Sequence, residues 1–197
     1  MHKWYQEAGE QNDVVISTRV RLARSLPGYP YPKRMNAAGR QQVEQMIYEA
    51  ATNENAAVGH QFAYWRMEDI GRTDGLSLAE RRLVQPDFPA DRMGGLLVTQ
   101  DESLSLLVNG EDHLRIQVFR AGMELESAYA EADHLDTILD KELHFAFDPK
   151  LGYLTQDPAN LGTGMRASVL LHLPALHECG SIGRIAAGLA KLGLVLE

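Results

Sequence analysis

Much that would announce a function is missing from this chain. Its 197 residues hold one cysteine, Cys179. A lone thiol forms neither an internal disulfide nor a thiolate metal cluster, so the fold must rest on its own core. No apolar run approaches the roughly 18 residues a membrane helix needs. The opening Met1-His2-Lys3-Trp4-Tyr5-Gln6-Glu7 has no apolar stretch of signal-peptide length. A cytoplasmic protein that does not engage a membrane is expected. Internal repeats and low-complexity tracts are absent. So are a GxxxxGK(S/T) loop, a GxGxxG after a strand, a GxSxG elbow and an HExxH helix. Any nucleotide site must therefore hold phosphate by other means. Basic residues are the minority, 19 against 27 acidic, for a net charge of −8. That argues against non-specific nucleic-acid or anionic-membrane binding as the main task. Lysine is scarce as well: 14 of the 19 basic residues are Arg and 5 are Lys. Arg suits forked recognition of phosphate or carboxylate, although genome composition gives the same excess.

What remains is an ordinary globular composition, 45% hydrophobic and 23% charged. The length fits one large domain, and no Pro/Gly/Ser linker divides it. Val14-Val15-Ile16 is a β-branched run entering the polar Ser17-Thr18-Arg19-Val20-Arg21, a strand passing into a loop or strand end. Asn36 caps an expected helix over Ala37–Ala51. Phe62–Met67 is strand-like, and Ser77-Leu78-Ala79-Glu80 has capping-box form and should start a short helix. Gly95–Thr99 and Leu104–Asn109 suggest a hairpin. His113–Phe119 alternates, with Leu114, Ile116 and Val118 on one face and Arg115 and Gln117 on the other. Gly122–Leu143 carries the clearest helical stripe, opposite an acidic face, including Asp136, that reads as solvated. Short strands near Phe145–Phe147 and Gly152–Thr155, a strand over Ala167–Leu173, a helix over Ser181–Leu192 and a strand-like Leu194–Glu197 complete the chain. This order lacks regular βαβ alternation. It favours an α+β fold, a mainly antiparallel sheet with helices packed on one side.

Three segments could carry chemistry. Alternation puts Arg19 and Arg21 on one side of an extended segment, a good polyphosphate clamp or an exposed surface pair. Asn109-Gly110-Glu111-Asp112-His113-Leu114-Arg115 sets two carboxylates at a strand junction. They could orient a nucleophile, take a proton or hold Mg²⁺, or simply form a turn. His113 has no second His at metal spacing and reads as a structural histidine. Thr155–Ser168 contains a Gly-rich loop, Leu161-Gly162-Thr163-Gly164, followed by Arg166. Such a loop can wrap an anion or merely connect two strands.

Taken together, STRVRLAR, NGEDHLRIQ, GYLT, NLGTGMRASV and LHLPAL resemble the catalytic domain of the phosphagen kinases, the ATP:guanidino phosphotransferases, and within them the bacterial protein-arginine kinase branch. The resemblance spans nearly the whole chain. It implies a glutamine-synthetase-like catalytic domain covering residues 1–197. It also implies ATP and Mg²⁺ as cofactors, protein substrates with an accessible arginine, and room for an activator protein as partner. Residue by residue, it implies nucleotide binding by Ser17, Thr18, Arg19, Val20 and Arg21, by Arg115, and by Arg166 with Ala167, Ser168, Val169 and Leu170. Glu111 matches the carboxylate that orients the acceptor guanidinium. Phosphoryl transfer needs positioning and charge stabilisation more than covalent chemistry, so a set of arginines is the right equipment.

The chain also departs from the pattern. Gly110 stands where the family has the first Glu of NEEDH. Asp157 stands where the family has a reactive Cys before Pro, and its negative charge is a candidate electrostatic substitute with a catalytic role. Arg82 stands near the position of a family His beside the adenine, where it could stack on a base. The family strand matching Gly193–Leu196 leads into an RGxxGE loop that lies beyond this sequence, so a closing segment of the domain is expected to be missing. The leading expectation is an ATP-dependent protein-arginine kinase domain that binds Mg-nucleotide but turns over poorly alone. The other is a non-catalytic pseudokinase that binds nucleotide or a partner kinase and regulates it.

Overall fold

The structure, a computed structural model, describes residues 2–53, 61–86, 88 and 93–196. Eight strands and five α-helices follow in the order β1 Val15–Arg24, α1 Ala37–Thr52, β2 Phe62–Arg66, α2 Arg72–Glu80, β3 Gly95–Thr99, β4 Leu104–Val108, β5 Leu114–Ala121, α3 Leu125–Leu143, β6 Phe147–Asp148, β7 Gly152–Tyr153, β8 Met165–Leu171, α4 Pro174–Glu178 and α5 Ile182–Ala190. Six strands form one sheet in the order β2-β3-β4-β5-β1-β8. Every neighbouring pair is antiparallel. The α+β expectation is met.

The period-2 pattern of the strands assigns each residue to a face. Val20, Leu22, Leu97, Leu104, Leu106, Val108, Leu114, Ile116 and Val118 pack on one side with α1 and α3. α1 starts at Asn36, whose side chain accepts from the Gly39 N–H. α3 is tied to this face by Thr18. Its Oγ1 donates to the Gly122 carbonyl at 2.6 Å and accepts the Glu124 N–H at 3.1 Å. The opposite face is divided. Over β3 and β4 it is covered by a second apolar cluster containing Met67, Leu78 of α2, Leu83 and Phe88. Over β5, β1 and β8 it carries arginines. Helices therefore lie on both faces, not on one as the sequence suggested.

Four other local expectations change. Ser17–Arg21 is no loop but the middle of the ten-residue β1, paired on both sides. α2 begins at Arg72 with Gly71 as N-cap, so Ser77–Glu80 closes this helix instead of opening one. A capping-box spacing matches any Ser/Glu pair three residues apart inside a helix, and here Leu78 is buried nearly two turns into a helix that began at Arg72. Asp136 of α3 is not solvated: it is buried and meets the Arg24 guanidinium. Leu194, Val195 and Leu196 form no strand; no described strand edge pairs with them. Glu197 lies outside the described residues.

Candidate functional site

β1 supplies the centre of the arginine face. Val20 and Leu22 must point into the core, so Arg19 and Arg21 point the other way. The register then fixes their neighbours. Arg19 lies opposite Phe119 of β5 and Ser168 of β8; Arg21 lies opposite Gln117 and Arg166; Ala23 lies opposite Arg115. Directly opposed residues share a face, so Arg19, Arg21, Arg115 and Arg166 come together on three adjacent strands spaced about 4.8 Å apart. Arg21 lies directly across from Arg166, which sets two cations side by side on this face. The Arg19 guanidinium sits 5.9 Å from the Phe119 ring centre, and Phe119 stacks in turn on Trp4 at 5.4 Å.

Ser17, Ser168 and Leu170 share this face, the Ser17–Leu170 pairing following a register shift next to Val15. Thr18 and Val20 do not. Both are buried on the core face, and their cross-strand partners Val169 and Ala167 face the same way. The side chains of those four residues are set apart from the arginines. Arg82 sits exposed in the turn after α2, at φ 61°. The carbonyl of the next residue, Leu83, accepts from Gln117 Nε2 at 2.9 Å, which lays this turn against the arginine face.

The β4–β5 turn brings the acidic group in. Arg115 is largely buried, and its Nη2 donates to Glu111 Oε2 at 2.9 Å. Asp157 is half-buried; its Oδ1 accepts the Ala159 N–H at 2.9 Å and caps a 3-10 turn over Pro158–Asn160. One bond joins the two carboxylate segments. Gln156 N donates to Asp112 Oδ1 at 2.6 Å, between the residue after Glu111 and the residue before Asp157. Ser25 Oγ also donates to that oxygen, at 3.3 Å. Burial, with a smaller push from Glu111, holds the Asp112 carboxyl above its usual range despite these donors.

His113 is fully buried. Its Nδ1 accepts the Leu26 N–H at 2.9 Å, which requires the proton on Nε2, and Nε2 faces the Pro30 carbonyl at 2.9 Å. Burial lowers its pKa, so the imidazole is neutral. It is the structural histidine that its isolation in the sequence implied.

The Gly-rich loop is placed by a residue the motif reading passed over. Arg24 is buried, and its Nη1 donates to the Thr163 carbonyl at 3.0 Å and to its neighbour Ala23 O at 2.8 Å. Nη2 donates to Asp136 Oδ2 at 2.9 Å, and Nε lies 2.9 Å from Oδ1. The guanidinium stacks 3.6 Å from the Tyr153 ring centre. Gly164 follows at φ +62°, where a Cβ would lie 2.5 Å from Ala23 O. The loop thus lies tight against β1 and delivers Arg166 two residues later. Arg24 had a visible signal, as the last residue of STRVRLAR. Asp112 was visible as half of the carboxylate pair at the strand junction, but nothing in the sequence marked it as a buried support.

Among the described residues, no group of three His, Cys, Asp or Glu could hold a metal ion. No described helix is long and apolar enough to cross a membrane.

Residues 42–197 match the family model described as ATP:guanido phosphotransferase, C-terminal catalytic domain. The protein-arginine kinase of Syntrophomonas wolfei is 44% identical over 97% of this chain and 54% of its own length. That of Symbiobacterium thermophilum is 40% identical over 99% of this chain and 56% of its own. The chain therefore spans about half the length of the curated relatives it matches. Among solved structures, the duplicated taurocyamine kinase of Schistosoma mansoni with bound transition state analog components superposes with a TM-score of 0.75. It is 30% identical, and the match covers 89% of this chain and 26% of that one. Lombricine kinase shares the fold, at a TM-score of 0.70 and 21% identity, over 84% of this chain and 50% of its own. With the family model covering well over half of its length, the chain belongs to the ATP:guanido phosphotransferases.

Proposed function

We propose that this chain binds Mg-ATP on the arginine face and directs its γ-phosphoryl group to the guanidinium of an arginine in a protein substrate. One observation carries the reading: Arg19, Arg21, Arg115 and Arg166 converge on three neighbouring strands, and Arg115 is ion-paired to Glu111 at 2.9 Å. Curated relatives at 40–44% identity are protein-arginine kinases.

In this reading the four guanidinium groups hold the phosphate chain and take up charge as the β,γ-bridging P–O bond breaks. Mg²⁺, when bound, would supply charge neutralisation to the phosphate chain held by these arginines. Ser17, Ser168 and Leu170 line the same face along the nucleotide. Thr18, Val20, Ala167 and Val169 act through the backbone and the core. Arg82 stacks on the base in this reading. Glu111 orients the acceptor and takes the proton that must leave the guanidinium nitrogen as the N–P bond forms. Asp157 adds negative charge at the acceptor side. The site of action is the cytoplasm, where ATP is abundant, and an activator protein is a further partner of this reading.

The test is calorimetric titration with Mg-ATP, followed by detection of acid-labile phosphoarginine on an added protein. Each charge-assisted contact is worth about 1.5–3 kcal/mol, so Arg19→Gln with Arg21→Gln should weaken nucleotide binding by at least ~100-fold. No binding by the unaltered chain at millimolar nucleotide would overturn the proposal.

A further inference from the structure

Away from the arginine face, a cleft of about 620 Å³ opens at the end of the sheet where β1 leaves it. Its walls are mostly apolar and aromatic, with Pro27, Tyr29, Tyr31, Phe145 and Phe147 among them, and Arg34 is its one charged lining residue among those described. Lys33 is exposed beside Arg34 and adds a second cation. Phe147 is 59% exposed and meets Tyr153 edge-on at 5.2 Å. A large aromatic left in water at the rim of a cleft is the mark of a contact surface rather than of a core.

The position of the cleft is as telling as its lining. Its back wall stands on the two residues that follow Glu111. Ser25 Oγ donates to Asp112 Oδ1, Leu26 N donates to His113 Nδ1, and His113 Nε2 meets Pro30 O. The Ala146 N–H donates to the Ser25 carbonyl at 2.8 Å and closes the other wall. The backbone of His113 lies at most about 7 Å from that of Glu111, so the wall of the cleft is hydrogen-bonded to the segment that carries the acceptor-side carboxylate. An extended peptide advances about 3.3 Å per residue. A polypeptide whose arginine meets Glu111 can therefore carry a residue a few positions away over the cleft.

We infer that this cleft receives the polypeptide flanking the acceptor arginine. It seats an apolar or aromatic side chain against the tyrosine and phenylalanine walls, and Arg34 pairs with a carboxylate of the same peptide. The inference rests on the function proposed above and names its substrate class: an arginine with an aromatic and an acidic residue a few positions away. The charge argument is local. A chain of net charge −8 repels acidic peptides overall, so a cationic rim on an apolar cleft selects where such a peptide can settle.

The test uses fluorescein-labelled Gly/Ser peptides with a single arginine, titrated by anisotropy against the full chain in the presence of Mg-ADP. One pair of peptides carries Phe-Glu four residues before or after the arginine; the control carries Ser-Ser. One Phe-Glu peptide should bind at least about tenfold more tightly than the control, the scale of one buried aromatic contact. Phe147→Ser and Arg34→Glu should each shrink that gap several-fold, with melting temperatures unchanged because both side chains are exposed. Equal affinity for all peptides, or an undiminished gap in both variants, overturns the inference. Mg-ADP affinity measured in the same samples separates the two readings. Nucleotide binding without peptide discrimination rejects the cleft alone, and absence of both rejects the function as well.

Discussion

Removing the Asp136 carboxylate should unfold this protein at a markedly lower temperature, and the size of the effect follows from burial. Arg24 and Asp136 are 3% and 6% exposed, with two nitrogen–oxygen contacts of 2.9 Å between them. Asp136→Ala leaves a guanidinium buried without its counter-charge. Breaking a buried pair in this way costs about 3–5 kcal/mol, because desolvation of the survivor is no longer offset. With an unfolding entropy of about 2.1 cal/mol/K per residue over 197 residues, the melting temperature should fall by about 7–12 °C. Scanning calorimetry reads this directly. A second variant separates stability from positioning. Arg24→Met with Asp136→Leu replaces the pair by apolar groups, which commonly restores stability. It also removes the donor to Thr163 O, and so the tether of the loop that delivers Arg166. The double variant should melt near the parent yet bind Mg-ATP several-fold more weakly. An Asp136→Ala chain melting within ~2 °C of the parent would refute the buried-charge reasoning. Parental nucleotide affinity in a stable double variant would refute the link from Arg24 to the phosphate site.

The neighbouring features give three further expectations. His113 is buried neutral with a pKa below its ordinary 6.5, so the unfolded chain binds more protons as pH falls through that value. The stability His113 contributes is therefore complete above about pH 6.5 and declines below it, and urea unfolding at pH 7 and pH 5 should show a slope that His113→Gln removes. Gly164→Ala places a Cβ 2.5 Å from Ala23 O at a positive φ, which should cost about 1–3 kcal/mol in urea unfolding and weaken nucleotide binding as the loop shifts. Asp157→Asn keeps the cap on Ala159 N and removes the charge, so melting should hold while phosphoryl transfer slows; equal rates for Asp, Asn and Cys at this position would sink the electrostatic role.

The fold was legible wherever one periodicity dominated. Leu114, Ile116 and Val118 alternate with Arg115 and Gln117, and the sheet places them on opposite faces as that pattern requires. The stretch Ser17–Arg21 was harder, because a strand whose outer face carries two arginines looks from sequence like the end of one. Pairing with β5 on one side and β8 on the other, both distant in sequence, makes it central. Ser77 misled for the opposite reason. Local capping chemistry was present, but Leu78 and Leu83 belong to the cluster over Leu107 and Phe119, and that burial set where the helix ran.

The site was legible in its charges and illegible in its supports. Arg19, Arg21, Arg115 and Arg166 belong to motifs, and strand register alone suffices to bring them together. Thr18 and Val20 belong to the same motif, yet alternation turns them into the core, where Thr18 ties down the start of α3. A motif marks a segment, and the two-residue period of a strand then divides it between surface chemistry and packing. Arg24 was passed over and the buried role of Asp112 was not seen, because neither acts at the surface. Each is a buried charged group whose partners, Asp136 and Thr163 for one, Gln156 and Ser25 for the other, come from segments far along the chain. Sequence spacing cannot reveal such a partner. The expense of burying a charge can: a buried Arg or Asp must be paired. In this protein both pairings hold a loop of the proposed phosphate and acceptor sites in place.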